Sequence, residues 1–290
     1  MKLRQAWIVT ALACGGLLAC DFTLDGYTTG AHAGTPGPDG GEPTVVDAGD
    51  IVDAHVDAGR ACPTGRGPSM VAVETADGGS FCIDSTEVTN AQYRVYLNTS
   101  PRVLDQPAEC ASNQRLEPTN TADYDRPERA DFPVVFVDWC DARAFCAWSG
   151  KRLCGKIGGG SLSSDLERQD PRTSQMGWAC TRGATQLYPY GTSWMSDACN
   201  IATETLRAAG TTATCNGGFP GIFDLVSNVG EWTDDCDATM GQDDACPANN
   251  SNGYSAGGAE YRRTAERCDH FDPHVRSDTE GYIGFRCCAD

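Results

Sequence analysis

The chain has 290 residues, with 22 lysines and arginines against 40 aspartates and glutamates, which gives a formal net charge of −18. Binding to a phosphate backbone needs cationic side chains that release counterions, so this acidic balance argues against nucleic acid as a partner. The 16 cysteines include no CxxC pair, and this spacing argues against a cysteine-based zinc site.

The N-terminus predicts an export signal followed by a lipid anchor. Lys2 and Arg4 precede an apolar stretch over residues 6–18 that is too short to span a bilayer stably. The run Leu17–Cys20 resembles the lipobox of bacterial lipoproteins, which are cut before the cysteine and acylated on it. We therefore expect a signal peptide over 1–19 and a lipid anchor on Cys20. The mature chain would then be attached to the bacterial cell envelope, on its periplasmic or surface face, and the choice of membrane stays open.

Composition divides the rest into a linker over 20–60 and one domain over 61–290. The linker is rich in Gly, Pro, Ala, Thr and Asp and has few large apolar side chains, so it cannot offset the entropy of ordering and is expected to be disordered and acidic. Loss of Cys14 with the signal and acylation of Cys20 leave fourteen cysteines. An even number in an exported chain predicts disulfide bonds.

The domain opens with a predicted hairpin. Residues 70–75 and 80–84 alternate apolar and polar side chains across the turn signal Asp77-Gly78-Gly79. We expect a Cys62–Cys82 disulfide to clip this hairpin.

Two helices are predicted from their start signals. Thr89 and Gln92 form a capping box, which predicts a helix from Asn90 to about Leu97. Residues 132–137 form an apolar run that predicts a buried strand, and Asp138 then caps a helix that runs through Ser149. Beyond Gly150, the glycine triplet at 158–160 and the Asn- and Gly-rich stretches near 216 and 250 predict loops.

Seven sequence blocks, in order, resemble the sulfatase-modifying-factor, or formylglycine-generating-enzyme-like, family. They are Glu87–Tyr93, Pro133–Trp139, Phe145–Leu153, Tyr188–Gly191, Cys199–Asn200, Phe223–Trp232 and Gly284–Cys287. The resemblance implies an α+β fold related to C-type lectins, with short strands, two main helices and many loops. We therefore expect a loop-rich domain stapled by disulfides.

The resemblance also implies calcium as a structural cofactor. The family's site would use the side chains of Asp224 and Glu231 and the carbonyls of Ser227 and Val229, and such oxygen donors suit a hard cation. The alternative is that the two acids only cap and solvate the turn.

A second family calcium site would use Asn200 and the carbonyl of Ile201. The aspartate that completes this site is missing, because no Asp lies between Asn200 and Asp224. A Cys199–Cys215 bridge could hold the loop instead.

Two further bridges follow from the resemblance, Cys146–Cys287 and Cys180–Cys268. A short local bridge between Cys236 and Cys246 is also expected. Pairing among Cys110, Cys140, Cys154 and Cys288 stays open.

The sequence departs from the family at the catalytic cysteines. Catalytic members oxidise a sulfatase cysteine with oxygen and copper, and they carry a C-x4-C pair after a Gly-Gly-Ser block. Counting forward from Gly257 places Arg262 and Arg267 at those positions, whereas counting back from Cys287 places Gly258 and Arg263 there. Soft thiolates select copper(I), so copper is not expected.

The three arginines, Arg262, Arg263 and Arg267, suggest a groove for carboxylate, sulfate or sugar-acid ligands. The alternative is that they pair with Glu260, Glu266 and Asp269 on the surface.

The sequence therefore favours a non-catalytic, lectin-like binding or scaffolding lipoprotein, with an envelope protein or a glycan as its ligand. Two alternatives stay open: a formylglycine-generating oxidase and a structural envelope or motility lipoprotein. The oligomeric state also stays open.

Overall fold

An antiparallel hairpin opens the part of the chain that the structure describes. In this computed structural model that part is residues 61–200, 205–234, 252–256, 267–269 and 271–290, and it describes the backbone alone at 165, 168, 252–256, 271–273 and 275. All of these residues belong to one unit over Ala54–Asp290. The predicted signal peptide, Cys20 and almost all of the linker lie outside the described residues. No helix in the described ranges is long and apolar enough to cross a membrane.

The hairpin has the strands that its alternating pattern predicts. Strand β1 (Met70–Glu74) pairs with β2 (Ser80–Asp84), from Met70 opposite Asp84 to Glu74 opposite Ser80. The Asp77 carboxylate accepts hydrogen bonds from the Thr75 hydroxyl and the Gly79 amide, which fixes the turn. The prediction of a hairpin is confirmed.

Both predicted helices are confirmed, because their start signals are local. In α1 (Asn90–Leu97) the Thr89 hydroxyl accepts from the Gln92 amide, and the Gln92 side chain accepts from the Thr89 amide. In α2 (Trp139–Trp148) Asp138 and Asp141 make the same reciprocal pair.

The predicted strand over 132–137 is wrong, although four of its six residues are buried and Phe132 and Phe136 are half-buried. Pro133 has no amide proton to donate, and Phe136 has a φ of +61°, which breaks an extended run. The backbone instead bonds to three separate segments: Val134 donates to Val88, Phe136 donates to Glu280, and Phe136 accepts from Thr119. The segment is an extended connector that ties these segments together.

The remaining elements are short. In chain order they are β3 (Arg152–Leu153), α3 (Asp165–Gln169), α4 (Gln175–Cys180), β4 (Gly230–Thr233), β5 (Asn252–Ala256), β6 (Phe271–Val275), β7 (Ile283–Phe285) and β8 (Cys287–Ala289). Three single-turn 3₁₀-helices lie between α1 and α2 at Val103–Asp105, Ala108–Cys110 and Pro127–Arg129. The loop predicted near residue 250 is wrong for 252–256, which pairs with β4 on one side and β6 on the other.

The strands form two four-stranded sheets with the orders β1-β2-β8-β3 and β6-β5-β4-β7. Strand β7 pairs parallel to β4, and β8 pairs antiparallel to β2 and β3. Only Arg286 separates β7 from β8, so the C-terminal segment passes directly from one sheet to the other. This is the mixed α+β arrangement that the resemblance implies.

Six disulfides connect these elements, and every cysteine in the described ranges takes part in one. Four of them are pairs that the sequence analysis expects: Cys62–Cys82, Cys146–Cys287, Cys180–Cys268 and Cys199–Cys215. The four cysteines whose pairing the sequence left open form the disulfides Cys110–Cys140 and Cys154–Cys288. The proposed Cys236–Cys246 bridge lies outside the described residues.

Candidate functional site

Three carboxylates and one guanidinium meet in the interior. Glu87 precedes α1, Asp224 lies in the loop before β4, Glu231 is on β4, and Arg286 joins β7 to β8. We call these four residues the acid–arginine cluster. All are buried, with at most 2% of their surface exposed. A charged side chain that is buried needs an oppositely charged or hydrogen-bonding partner.

All three nitrogens of the Arg286 guanidinium donate hydrogen bonds. Its Nε and Nη2 donate to Oε2 and Oε1 of Glu231, each at 2.7 Å, which is a two-pronged ion pair. Nη1 donates to the Asp84 carbonyl at 3.2 Å, and Nη2 also donates to the Phe223 carbonyl at 2.8 Å. The arginine therefore neutralises Glu231 and joins three segments of the fold.

Asn228 orients Glu87. It has a φ of +68°, a conformation that asparagine tolerates better than most residues, and its amide donates to Oε1 of Glu87 at 2.9 Å. Its side-chain oxygen accepts from the Asn200 side chain at 3.2 Å and from the Arg207 amide at 2.8 Å. Asn200 thus supports the cluster through a hydrogen bond of its amide group.

Two carboxylate oxygens of the cluster are left over. Asp224 accepts from the Gly210 amide at 2.7 Å through Oδ2, but its Oδ1 is buried without a hydrogen-bond partner. Oε2 of Glu87 is also buried without a hydrogen-bond partner. Such orphan oxygens are rare in folded proteins and call for a bound proton, water or ion.

Burial raises the pKa of all three acids. For Glu87 the pKa lies well above its usual value, first because of desolvation and then because of the negative charge of Asp224. Desolvation raises the pKa of Asp224 to about 6, against a lowering by the Gly210 amide. It also raises the pKa of Glu231, which Arg286 opposes. Burial therefore favours the protonated, neutral form of these acids, and Arg286 opposes this effect.

The residues of the cluster fit the predicted calcium site only in part. Asp224 offers a free carboxylate oxygen, which suits a hard cation. Glu231, the other acid of the predicted set, already binds Arg286 through both of its oxygens. The Ser227 carbonyl accepts from the Val229 amide. Within the described ranges, no three or more His, Cys, Asp or Glu side chains are arranged as a metal site. Calcium therefore stays a prediction.

The predicted second calcium site is only half described. Asn200 is buried and hydrogen-bonded as above, whereas Ile201 lies outside the described residues. The Cys199–Cys215 disulfide holds this loop, as the alternative for this region expects.

The predicted arginine groove is described at one of its three residues. Arg267 is exposed and pairs with Asp269 at 2.6 Å, which is the surface pairing considered as the alternative. Arg262 and Arg263 lie outside the described residues.

A polar cleft that the sequence analysis did not identify lies beside the Cys110–Cys140 disulfide. It has a volume of about 400 Å³, and its lining includes Asn113, Arg115, Asp138, Asp141, Arg276 and Thr279. The sequence analysis assigned Asp138 only a capping role and gave Arg276 none. Residues from three distant segments meet here, and no local spacing could have indicated that.

The cleft walls combine carboxylates and guanidiniums. Desolvation raises the pKa of Asp138 to about 6, and it raises the pKa of Asp141 well above the usual value, with a further contribution from the Asp138 charge. Arg276 lies over the Trp139 ring, 4.0 Å from its centroid. Such walls suit a ligand that carries both donors and acceptors.

Copper does not fit the residues present. The one cysteine between the Gly257 block and Cys287 is Cys268, and it is bonded to Cys180 at 2.03 Å. A bridged sulfur cannot ligate copper as a thiolate.

A model of the sulfatase-modifying factor enzyme 1-like domain matches residues 41–290. The chain belongs to this family. Its curated relatives include the Inactive C-alpha-formylglycine-generating enzyme 2 of Bos taurus, 32% identical over 118 residues, with 37% of this chain and 34% of the relative covered. They also include the Formylglycine-generating enzyme of Bos taurus, 23% identical over 264 residues, with 73% and 66% covered. The chain thus spans about one third and just under two thirds of these relatives.

Among solved structures that match this chain, PvdO from Pseudomonas aeruginosa is 17% identical with a TM-score of 0.46, and the match covers 77% of this chain and 92% of that one. CarF is 16% identical with a TM-score of 0.47, covering 78% and 95%.

Proposed function

We propose that this chain is a non-catalytic member of the sulfatase-modifying factor family that binds a polar ligand outside the cytoplasm. One observation carries the proposal. From Gly257 to the C-terminus the sequence holds three cysteines, Cys268, Cys287 and Cys288, and each is in a disulfide. Copper-dependent oxidation needs a pair of thiolates, and this segment offers none.

The names of the relatives include both an inactive and an active enzyme, so family membership alone does not decide the activity. The missing thiol pair favours the inactive type. The formylglycine-generating oxidase remains the second candidate, because the match to the relative of that name covers most of the chain.

A direct test is oxidation of a cysteine-containing sulfatase peptide by the copper-treated protein in air, followed by mass spectrometry of the peptide. The relative named Formylglycine-generating enzyme from Mycobacterium tuberculosis serves as the positive control. We expect conversion by the relative and none by this chain. Copper-dependent conversion by this chain would sink the proposal.

The polar cleft is the proposed binding site. Its lining includes hydroxyl, amide, carboxylate and guanidinium side chains, and such a mixture suits a hydroxyl-rich ligand such as an envelope glycan. An envelope protein that presents polar side chains is the second candidate. Scaffolding would follow if the bound ligand is itself part of the envelope.

Ligand binding to the cleft can be tested with a blocking variant. Ser277 is an exposed residue of the cleft lining, so Ser277→Trp fills the cleft without disturbing the core. Ser80→Trp, at an exposed position of the hairpin, is the matched control. On a glycan array we expect binding by the wild type and by Ser80→Trp, and loss of binding by Ser277→Trp. Equal binding by both variants would exclude the cleft.

The compartment follows from the disulfides. Six bridges in the described residues are typical of an oxidising, extracytoplasmic compartment. The lipid anchor on Cys20 and attachment to the cell envelope are part of the proposal, supported by the lipobox-like run that ends at that cysteine. Metabolic labelling with a fatty acid, with Cys20→Ser as control, tests the anchor.

A further inference from the structure

The wall of the polar cleft contains an arginine whose hydrogen bonds go to backbone groups. The Arg115 guanidinium donates through Nε to the Glu117 carbonyl at 3.1 Å and through Nη2 to the Pro118 carbonyl at 2.7 Å. Among the described residues, Arg115 forms no ion pair with a carboxylate. Both protons of Nη1 and one proton of Nη2 take no part in the two bonds to carbonyls, so the end of the guanidinium can donate to a ligand.

The loop that carries Arg115 is held in place by hydrogen bonds. The Asn113 side chain accepts from the Arg115 amide at 3.2 Å, and it donates to Oδ1 of Asp141 in α2 at 2.8 Å. The carbonyl of buried Leu116 accepts from the Tyr93 hydroxyl at 2.6 Å. The guanidinium is therefore positioned before any ligand binds, and a pre-organised donor loses less entropy on binding.

The carboxylates in the cleft lining have partners other than Arg115. Glu109 pairs with Arg143 at 3.3 Å. Asp141 accepts from the Asn113 side chain through Oδ1 and from the Asp138 amide through Oδ2. Oδ1 of Asp138 accepts from the Asp141 amide. The positive charge of Arg115 is therefore not neutralised by direct contact with the acids of its own cleft.

We propose that Arg115 is the anion-binding point of the polar cleft and that the ligand carries a carboxylate or sulfate group, as an acidic glycan does. The inference rests on the proposed function, because it names the chemical class of the ligand for the same cleft. A guanidinium binds such groups through two parallel hydrogen bonds, which supply both affinity and orientation. The hydroxyls of Ser112, Ser277 and Thr279 in the lining suit the hydroxyl groups of a sugar.

The acidity of the whole chain does not prevent anion binding at this cleft. A second guanidinium, that of Arg276, lines the same cavity and lies over the Trp139 ring. At physiological ionic strength, exposed charges more than about 8 Å away are largely screened. The groups nearest to the ligand therefore decide its affinity, although the formal net charge of the chain is −18.

The acids of the cleft should make anion binding depend on pH. The charged side chains of the lining are Glu109, Arg115, Asp138, Asp141 and Arg276, and those adjacent to it in contact or in sequence are Arg143, Glu117 and Asp278. Desolvation raises the pKa of Asp138 to about 6, against its backbone hydrogen bonds and the charge of Arg115. Below that pH Asp138 is protonated and no longer repels an anion, so anions should bind more tightly at pH 5 than at pH 8.

The first experiment measures the binding of three sugars by calorimetry, using the full exported chain with its disulfides intact. The probes are a galacturonic acid trimer, a sulfated galactose trimer and a neutral galactose trimer. The variants are Arg115→Gln, which removes the charge, and Arg172→Gln as a surface control, since Arg172 is exposed and pairs with Asp170. We expect the wild type and Arg172→Gln to bind an acidic probe about tenfold or more tightly than the neutral probe, and Arg115→Gln to lose this preference.

Each outcome of this experiment decides a separate point. The acidic probe that binds more tightly identifies carboxylate or sulfate as the group recognised. Equal wild-type affinity for acidic and neutral probes would overturn the inference and leave the proposed binding function standing. An acid preference that survives in Arg115→Gln would overturn the role of Arg115. The preference should increase from pH 8 to pH 5 in the wild type, and Asp138→Asn should remove that increase.

A measurement without mutation or sugar separates the inference from the proposed function. Crystals of the wild-type protein soaked in selenate, a sulfate analogue with anomalous scattering, should show an anomalous peak in contact with the Arg115 guanidinium. Such a peak in a protein that binds none of the sugars would support the anion site and contradict the glycan ligand. No peak at Arg115 would overturn the inference, whatever the affinity for the neutral probe.

Discussion

At the residue scale, the fold depends on a second buried ion pair near Arg286. Lys151 Nζ lies 2.5 Å from Oδ1 of Asp84, and both side chains are at most 1% exposed. Lys151 also donates to the Pro68 carbonyl, and Oδ2 of Asp84 accepts from the Cys287 amide. The pair thus joins the first strand pair, the start of β3 and the C-terminal strand.

Lys151→Met should destabilise the protein by about 3–5 kcal/mol at pH 8, because it leaves Asp84 buried without its partner. Desolvation raises the pKa of Asp84 to about 7, against the effect of Lys151, so at pH 5 a bound proton should reduce the loss. Urea unfolding at both pH values measures this.

Lys156→Met is the matched control for Lys151→Met. Lys156 pairs with Glu167 at a partly exposed position, and the loss of such a pair costs about 1 kcal/mol or less. Equal losses in the two variants would contradict the importance of the buried pair.

The pH dependence of stability should also reflect Asp138. Its pKa in the folded protein is about 6, above the value near 4 in an unfolded chain, because burial disfavours the charged form. The folded state therefore binds more protons between these values, and stability should fall as the pH rises from about 4 to about 6.

Asp138→Asn should make that decline in stability shallower. Asparagine also caps helices well, so α2 should keep its start. Urea unfolding of both proteins at several pH values gives the two slopes. An identical slope in the variant would show that Asp138 does not contribute.

Sequence reasoning could not identify the contacts between side chains that are far apart in the chain. The resemblance identified Asp224 and Glu231 as candidate calcium ligands. It could not show that Arg286 binds both carboxylate oxygens of Glu231, because these two residues are 55 positions apart in the sequence. Glu87 lies in a matched block, yet no sequence spacing indicates that the charge of Asp224 contributes to its raised pKa. The Arg286–Glu231 pair depends on how β4 and the C-terminal segment come together.

At the element scale, locally encoded features were predictable. The capping box of α1, the Asp138 cap of α2 and the β1–β2 turn use residues within three or four positions of each other, and all three appear where predicted. The reciprocal bond from Asp141, which completes a capping box in α2, was not predicted. The prediction of a strand at 132–137 failed because an apolar run does not indicate which segments its backbone forms hydrogen bonds with. Strand β5 was missed because its pairing with β4 and β6, and not its composition, makes it a strand.

The capping box of α1 can be tested by Thr89→Ala. The substitution removes the oxygen that accepts from the Gln92 amide, and it should lower stability by about 1 kcal/mol. Thr89→Ser keeps the oxygen and should keep most of that stability. Chemical denaturation of both variants checks this, and equal losses would show that the hydroxyl does not cap the helix.

At the scale of the whole molecule, disulfides hold the C-terminal segment. Cys287 and Cys288 are adjacent, and they bond to Cys146 in α2 and to Cys154 after β3, closing loops of 141 and 134 residues. Both sheets also meet in this segment. Crosslinks that close long loops remove the most entropy from the unfolded chain.

Removing the Cys146–Cys287 bridge by a double alanine substitution should therefore cost more than removing Cys199–Cys215, which closes a loop of 16 residues. The chain-entropy model gives about 5 and 3 kcal/mol respectively. Denaturant unfolding of the two variants measures the difference. The reverse order would mean that local strain, and not loop length, determines these contributions.

The proposed absence of oxidase activity is also a property of the whole molecule, since it depends on Cys268, Cys287 and Cys288 being bridged to distant cysteines. Thiol alkylation of the native exported protein, followed by disulfide mapping with mass spectrometry, tests this most directly. We expect no alkylated cysteine, with Cys268 recovered in a peptide linked to Cys180. Two alkylated cysteines that include Cys268 would contradict the non-catalytic assignment.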